Sequence, residues 1–351
     1  MPIIPRAGRP AAVALAVVGS VLVAATANAQ QETSETDARL KQFLQRFPEA
    51  DANKDGVLTM QEARDFRAQQ LAQRDAAPTY ANVPYGLHER NVLDFWKAQS
   101  DKPTPVLVFF HGGGFLGGDK SMYNRQLFRD CMGAGISFAA ANYRLSQQAP
   151  YPAQMQDAAR AIQFIRSKAA EWNVDTSRIA AFGGSAGAGI SLWLAFHDDM
   201  AKPDSEDPVE RQSTRLTCAI ALQMQSTYDP REIGKVVPGR AYDEPALKQL
   251  FGLPPNWNWD TAQVDEELSA KLRDASPIAH LTKDDPPAFL FHQKQQETDG
   301  NIHHANFGRY LKKAMDDLGI ECIHRMDTDY DSPEAAFRDM FAFLVRQFGV
   351  Q

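Results

Sequence analysis

Three cysteines in 351 residues, at 131, 218 and 322, are too few, too far apart and odd in number for a disulfide framework. Each lies in or beside an apolar stretch, so buried free thiols are the expected state. Positive charge is also short. Lys and Arg number 37 against 44 Asp and Glu, for a formal net charge of −7, and no nucleic-acid footprint is indicated. Long apolar runs are scarce, and the run at 11–25 is shorter than a membrane-spanning helix requires. What remains is ordinary: 44% hydrophobic and 23% charged residues fit a soluble globular chain with one large α/β domain and a small appendage.

Residues 1–29 have the three parts of a secretory leader: Arg6 and Arg9, the apolar run, and Ala27-Asn28-Ala29 as a cleavage site before Gln30. Export to the periplasm or beyond is expected, with no stable membrane insertion after cleavage. The mature chain would carry a net charge of −9, since the leader has two basic and no acidic residues. No Cys follows the cleavage site, so a lipid anchor is not indicated.

Residues 51–62 match the twelve-residue EF-hand calcium loop position by position. Asp51, Asn53 and Asp55 supply oxygens at positions 1, 3 and 5, Gly56 makes the turn, the Val57 carbonyl serves at 7, Thr59 stands at 9, and Glu62 is the bidentate ligand at 12. Leu40, Phe43, Leu44 and Phe47 before the loop, and Ala63, Phe66 and Leu71 after it, have helical spacing. The competing reading is a surface turn with a helix cap. With no second hand in the sequence, a structural role is expected for the calcium, and this segment of 30–75 is expected to pack on the rest of the protein.

The main domain, expected at 76–351, is organised around two glycine turns. At 178–194 an apolar run meets Gly183-Gly184-Ser185-Ala186-Gly187, and a helical pattern follows at once. This strand, sharp turn and helix form the context that the G-x-S-x-G nucleophile elbow needs. The Ala186 N–H, at the helix start, would face a developing oxyanion. Upstream, the apolar run 105–110 enters His111-Gly112-Gly113-Gly114, where three glycines in a row cost backbone entropy and something must need the bare backbone. Alone, the five-residue elbow pattern would also fit a structural serine in a glycine-rich turn.

With both turns present, and with Gly117-Gly118-Asp119-Lys120-Ser121, Asn142-Tyr143-Arg144-Leu145, Tyr151-Pro152-Ala153 and Asp157 following in order, the chain resembles the α/β-hydrolase superfamily, in its hormone-sensitive-lipase and acetyl-esterase branch, over roughly residues 80–349. The resemblance implies a mostly parallel sheet with helices on both faces, Ser185 as nucleophile, and an oxyanion hole from Gly113, Gly114 and Ala186. Hydrophobic patterning agrees. Antiparallel entry strands are expected within 83–96, then strands at 105–110, 136–143, 179–183, 217–224, 288–292 and 321–326, with helices at 153–172, after Ser185, at 304–318 and at 333–348. Between 227 and 281 this rhythm breaks, which reads as a cap over the site or as a solvated peripheral excursion.

The family pattern then fails where the base and acid belong. The loop after 288–292 reads Gln293-Lys-Gln-Gln-Glu297-Thr-Asp299, with Gln where the resemblance places Asp. The loop after 321–326 reads Asp327-Thr-Asp-Tyr330-Asp-Ser332 and holds no His. His324 falls in the strand, too early to reach the elbow. The remaining candidates for the base are His303 and His304, with Glu297 or Asp299 behind them; two adjacent His at a helix start also suit capping or surface roles. Two classes stay open: a calcium-binding serine esterase acting on a small acyl or carbohydrate ester, needing no further cofactor, or a hydrolase-fold binding module that has lost turnover.

Overall fold

The structure, a computed structural model, describes residues 33–72 and 76–350. The expected leader lies outside them, as does the Leu71 side chain. The chain divides near residue 74 into two compact units.

The smaller unit holds helices α1 (Ala38–Arg46) and α2 (Met60–Ala72) with the 51–62 loop between them. The Asp37 carboxylate caps α1 by accepting the Arg39 N–H at 2.7 Å and the Leu40 N–H at 3.4 Å. Leu40, Ala50, Leu58 and Ala63 form its core, with the rings of Phe43, Phe47 and Phe66 packed beside it. The backbone of Leu58 is paired from within the unit: its carbonyl accepts the Ser34 N–H at 2.8 Å, and its N–H donates to Ser34 Oγ at 2.9 Å. The strand-like edge that a second hand would cover is thereby satisfied locally.

The larger unit is built on eight strands: β1 (Tyr80–Pro84), β2 (Val92–Trp96), β3 (Thr104–Phe110), β4 (Ser137–Ala141), β5 (Val174–Gly184), β6 (Cys218–Leu222), β7 (Ala288–His292) and β8 (Cys322–Met326). They lie in the order β1-β2-β4-β3-β5-β6-β7-β8, and every pair from β4 onward is parallel. All seven residues of β3 are buried. That is the continuous apolar run expected of a strand covered on both faces.

The helices are α3 (Arg125–Gly133), α4 (Ala153–Ser167), α5 (Ala169–Trp172), α6 (Ala186–Phe196), α7 (Pro230–Val236), α8 (Pro245–Leu250), α9 (Glu266–Ala275), α10 (Asn306–Asp317) and α11 (Pro333–Phe348). Residues of α4 and α6 fill the core on one face of the sheet, and those of α3 and α11 fill the other. This is the α/β-hydrolase arrangement, and it differs from the sequence expectation in detail. The expected helix at 153–172 breaks at Lys168 into α4 and α5, β5 begins at Val174 instead of 179, and α10 begins at Asn306 instead of 304. Helix α3 was not anticipated, although the Asn124 side chain caps it by accepting the Leu127 N–H at 2.8 Å.

Every residue of α6 is buried, an unusually deep seat for the helix that carries the elbow. A Cβ at Gly187 would stand 2.0 Å from the Phe110 carbonyl oxygen. No side chain fits there. The bare backbone lets α6 start directly against the end of β3, which brings the two glycine turns together.

Candidate active site

Phe110 at the end of β3 pairs with Gly183 near the end of β5, so both turns open at the carboxyl edge of adjacent strands, the edge where ligands bind in open α/β sheets. Ser185 has φ 51° and ψ −118°, a strained conformation for a residue with a side chain. Its N–H donates to the Leu222 carbonyl at 2.8 Å, tying the elbow to the end of β6. The strain is held by the turn on one side and by buried α6 on the other.

The structure brings His303 to this serine. His303 Nε2 lies 2.8 Å from Ser185 Oγ, within direct hydrogen-bond reach of a general base. Burial pushes the imidazole below its ordinary pKa, and the negative charge of Glu244 opposes that shift. A depressed value keeps the ring neutral at pH 7, and Nε2 can then accept the serine proton. The His303 N–H donates to Asn301 Oδ1 at 2.8 Å, fixing the loop ahead of α10.

His304 and Glu297 are not part of this arrangement. His304 is buried and turned to local capping, with Nδ1 accepting the Asn306 N–H at 3.1 Å. Glu297 is held in ion pairs to Lys294 and Arg309, and Asp299 is exposed; neither bonds His303 among the described residues. The carboxylates offered by the strand-end loop are thus spent on its own cations or on solvent. His324 pairs instead with fully buried His292, Nε2 to Nδ1 at 3.2 Å, while His292 Nε2 faces the Met224 carbonyl at 3.4 Å. Burial pushes His292 down to about 3 and His324 to about 4, so both stay neutral.

Gly113, Gly114 and Ala186 line one cavity with Ser185 and His303. The Gly112 carbonyl faces His111 Nδ1 at 2.8 Å, and the Gly113 carbonyl accepts the N–H groups of Leu116 and Gly117 at 2.9 and 3.3 Å. These two carbonyls are therefore occupied within the turn. Gly113 and Gly114 donate to no protein acceptor among the described residues, and Ala186, first in α6, has an N–H without a helical partner. All three residues line the cavity beside Ser185.

The turn is braced by its own His111, by the motif residues that follow it, and by Arg90, which has no local signature. His111 is fully buried and stacks on Tyr143 with ring centroids 4.2 Å apart. Burial pushes it down to about 4. Its Nδ1–H donates to the Gly112 carbonyl, and its Nε2 accepts from an Arg90 guanidinium nitrogen at 3.0 Å. Arg90 also donates to the carbonyls of Tyr143 and Gly118. The Asn142 side chain ties the Lys120 N–H and Asp119 together, and Arg144 makes a two-pronged pair with Asp157. These are the motif residues of the 117–157 stretch, and their work is to hold the turn and the start of α4.

The cavity measures about 480 Å³. Phe115, Leu116, Leu247 and Ile302 give it apolar walls; Gln223, Gln225 and Glu244 add polar groups. One wall comes from 227–281, the segment where the βα rhythm breaks, through Tyr228, Glu244, Ala246 and Leu247. Its elements include α7, α8 and α9.

Two groups of residues have metal-binding character. In the 51–62 loop, Asp51 is buried; its Oδ2 accepts the Gly56 N–H at 2.8 Å, and its Oδ1 has no partner. Gly56 has φ +85°, Asn53 Oδ1 accepts the Asp55 N–H at 2.9 Å, and Asp55 Oδ1 accepts the Val57 N–H at 2.8 Å. Glu62 holds the Thr59 N–H and hydroxyl on Oε2. A buried, unsatisfied carboxylate oxygen amid further oxygen donors fits a hard cation such as calcium.

His197, Asp274 and His280 also bring ligand atoms within 4.8 Å of one another. Their two imidazoles already donate to the Asp198 and Asp274 carbonyls, at 2.9 and 2.7 Å. His197 caps the far end of α6, about 16 Å of helix from Ser185, so this trio is apart from the chemistry.

Comparison with known proteins finds ester hydrolases among the relatives. Carboxylesterase NlhH of Mycobacterium tuberculosis is 31% identical over 163 residues, which are 46% of this chain and 51% of that one. The probable carboxylic ester hydrolase LipM of the same species is 28% identical over 215 residues, 60% of this chain and 46% of its own. The chain thus spans about half the length of the curated relatives it matches. Among solved structures, an acetyl ester-xyloside bifunctional hydrolase from Caldicellulosiruptor lactoaceticus superposes with a TM-score of 0.63 at 20% identity, covering 79% of this chain and 99% of that one. A truncated carbohydrate esterase from gut microbiota gives 0.61 at 21%, covering 78% and 100%; at such identities the likeness is one of fold. Residues 93–304, more than half of the chain and a span that includes both glycine turns and His303, match the family described as BD-FAE, and the protein belongs to that family of α/β-hydrolases.

Proposed function

We propose that this protein is a serine ester hydrolase acting on esters with a small acyl group. The observation that carries the reading is the 2.8 Å contact between Ser185 Oγ and His303 Nε2 in a cavity lined by the glycine turn. In the reaction, Ser185 Oγ attacks the ester carbonyl carbon while its proton passes to His303 Nε2. Negative charge moves onto the carbonyl oxygen, where the N–H groups of Gly113, Gly114 and Ala186 receive it. The protonated His303 then gives its proton to the departing alkoxide, leaving an acyl-Ser185 ester. Water, deprotonated by the same imidazole, attacks that ester, and the proton returns to Ser185 as the acid leaves. The nearness of His303 to Ser185 favours this reading over a binding module that has lost turnover.

Steady-state hydrolysis of p-nitrophenyl acetate against pH tests this reading. Activity requires neutral His303, whose pKa burial depresses below 6.5. The rate should therefore rise with pH through that depressed value and stand on its plateau by neutral pH. A rate that still climbs steeply above pH 7 would mean that another group is the base.

We also propose that the smaller unit binds calcium through Asp51, Asn53, Asp55, the Val57 carbonyl, Thr59 and Glu62. At a calcium concentration about a hundred times Kd, binding linkage stabilises the folded unit by roughly 2.7 kcal/mol. Chelator should lower the melting temperature of the wild type and leave Glu62→Ala largely unmoved. Indifference of the wild type to chelator would rule out a coupled site. We propose further that residues 1–29 are removed on export to the periplasm or beyond, which the intact mass of exported protein checks: the chain should begin at Gln30.

A further inference from the structure

If Ser185 is to give its proton to His303 Nε2, the proton of the neutral ring must sit on Nδ1. Serine hydrolases use a carboxylate at that position to fix the tautomer and to stabilise the imidazolium that forms. The strand-end loop supplies none here, because Glu297 is paired to Lys294 and Arg309 and Asp299 is exposed. No side chain bonds His303 Nδ1 among the described residues.

One carboxylate shares the cavity with His303: Glu244. It stands at the N-cap of α8, where a carboxylate commonly accepts an N–H of the first turn, yet its side chain makes no such bond. The cations nearby are engaged by its neighbours, with Arg240 paired to Asp243 and Asp260 and Lys248 also on Asp243. The Glu244 side chain is left without hydrogen bond or ion pair among the described residues, on a half-buried residue that lines the cavity of the reacting pair.

We propose that Glu244, contributed by the segment that interrupts the βα rhythm, is the positioning acid that orients His303 through Nδ1–H and stabilises its protonated form. This inference rests on the esterase reading above. The chain order becomes Ser185, Glu244, His303, the nucleophile, acid, base order of α/β-hydrolases, with the acid moved from a strand-end loop to the insertion. Free enzymes often show catalytic hydrogen bonds long, to be tightened when substrate fills the site. The charge of Glu244 raises the His303 pKa, while the buried His292 ring nearby is neutral. The carboxylate itself takes no proton.

The test compares wild type with Glu244→Gln and Glu244→Asp, with thermal melting as the control for folding. For Glu244→Gln, kcat should fall on the order of 10²- to 10⁴-fold, in the range seen when the orienting acid of a triad is neutralised, with KM little changed. The acid limb of the pH–rate profile should also move to lower pH, since the charge that raises the His303 pKa is gone. Glu244→Asp should recover part of the rate. An active wild type with an unchanged Glu244→Gln variant would overturn the assignment and leave the esterase intact. A rise in KM alone would put Glu244 on the substrate and overturn it equally. Should the wild type prove inactive, the esterase reading fails separately. NMR titration of the His303 C2–H signal in wild type and Glu244→Gln then decides the coupling, and an unchanged pKa rejects it.

Discussion

Ser185→Ala and His303→Ala are each expected to lower kcat by on the order of 10³- to 10⁶-fold, with the double variant scarcely worse than either single one. Members of a nucleophile–base pair act as a unit, so removing the second after the first costs little more. The 2.8 Å contact makes the pair mutually dependent: without His303 the serine proton has no acceptor at that distance, and without Ser185 the imidazole has no nucleophile to activate. His304→Ala supplies the contrast. Its ring accepts the Asn306 N–H at the head of α10, so its loss should affect melting and leave kcat within a few fold. Steady-state kinetics on p-nitrophenyl acetate with melting curves for all four variants checks this. Additive losses in the double variant, or a large kcat loss in His304→Ala, would contradict the assignment of His303.

Gly113→Ala carries the second large effect. Gly113 has φ +110°, and a Cβ there would lie 2.5 Å from the Gly117 carbonyl oxygen, so the turn must shift to take the methyl group. The shift displaces the Gly113 and Gly114 N–H groups from the oxyanion. Losing one oxyanion donor typically lowers kcat about 10²- to 10³-fold, and with two displaced the loss should reach the upper end of that range. KM should move little, because charge on the carbonyl oxygen develops only in the transition state. Retention of near-normal kcat by a folded Gly113→Ala protein would show that the oxyanion lies elsewhere.

The parts of this site that could be read from the sequence are those made by contiguous residues. An apolar run ending in Gly183-Gly184-Ser185-Ala186-Gly187 can hardly do other than turn sharply, and the clash waiting at Gly187 shows why the small residues are there. His303 came into view by elimination, since the loop after β8 has no His and His324 lies within a strand. The expectation failed where partners are distant in the chain. Glu297 looked like the acid because it lies in the loop after β7, where the resemblance places Asp, but Lys294, three residues before it, and Arg309, twelve residues after it, took its charge. Glu244 gave no signal, because the loop geometry that carries it into the cavity belongs to the non-repeating 227–281 segment, which patterning does not resolve. Arg90 was silent for the same reason: its bonds to His111, Tyr143 and Gly118 span entry strands, turn and sheet.

The central claim is that Ser185 is an activated nucleophile, and covalent labelling by a fluorophosphonate tests it most directly, since the probe reacts only with a hydroxyl that a base has made ready. With the mature wild-type protein, peptide mass spectrometry should find one phosphonylated residue, Ser185, with labelling lost in Ser185→Ala and strongly slowed in His303→Ala. A folded wild-type protein left unlabelled, or one labelled elsewhere, would contradict the account.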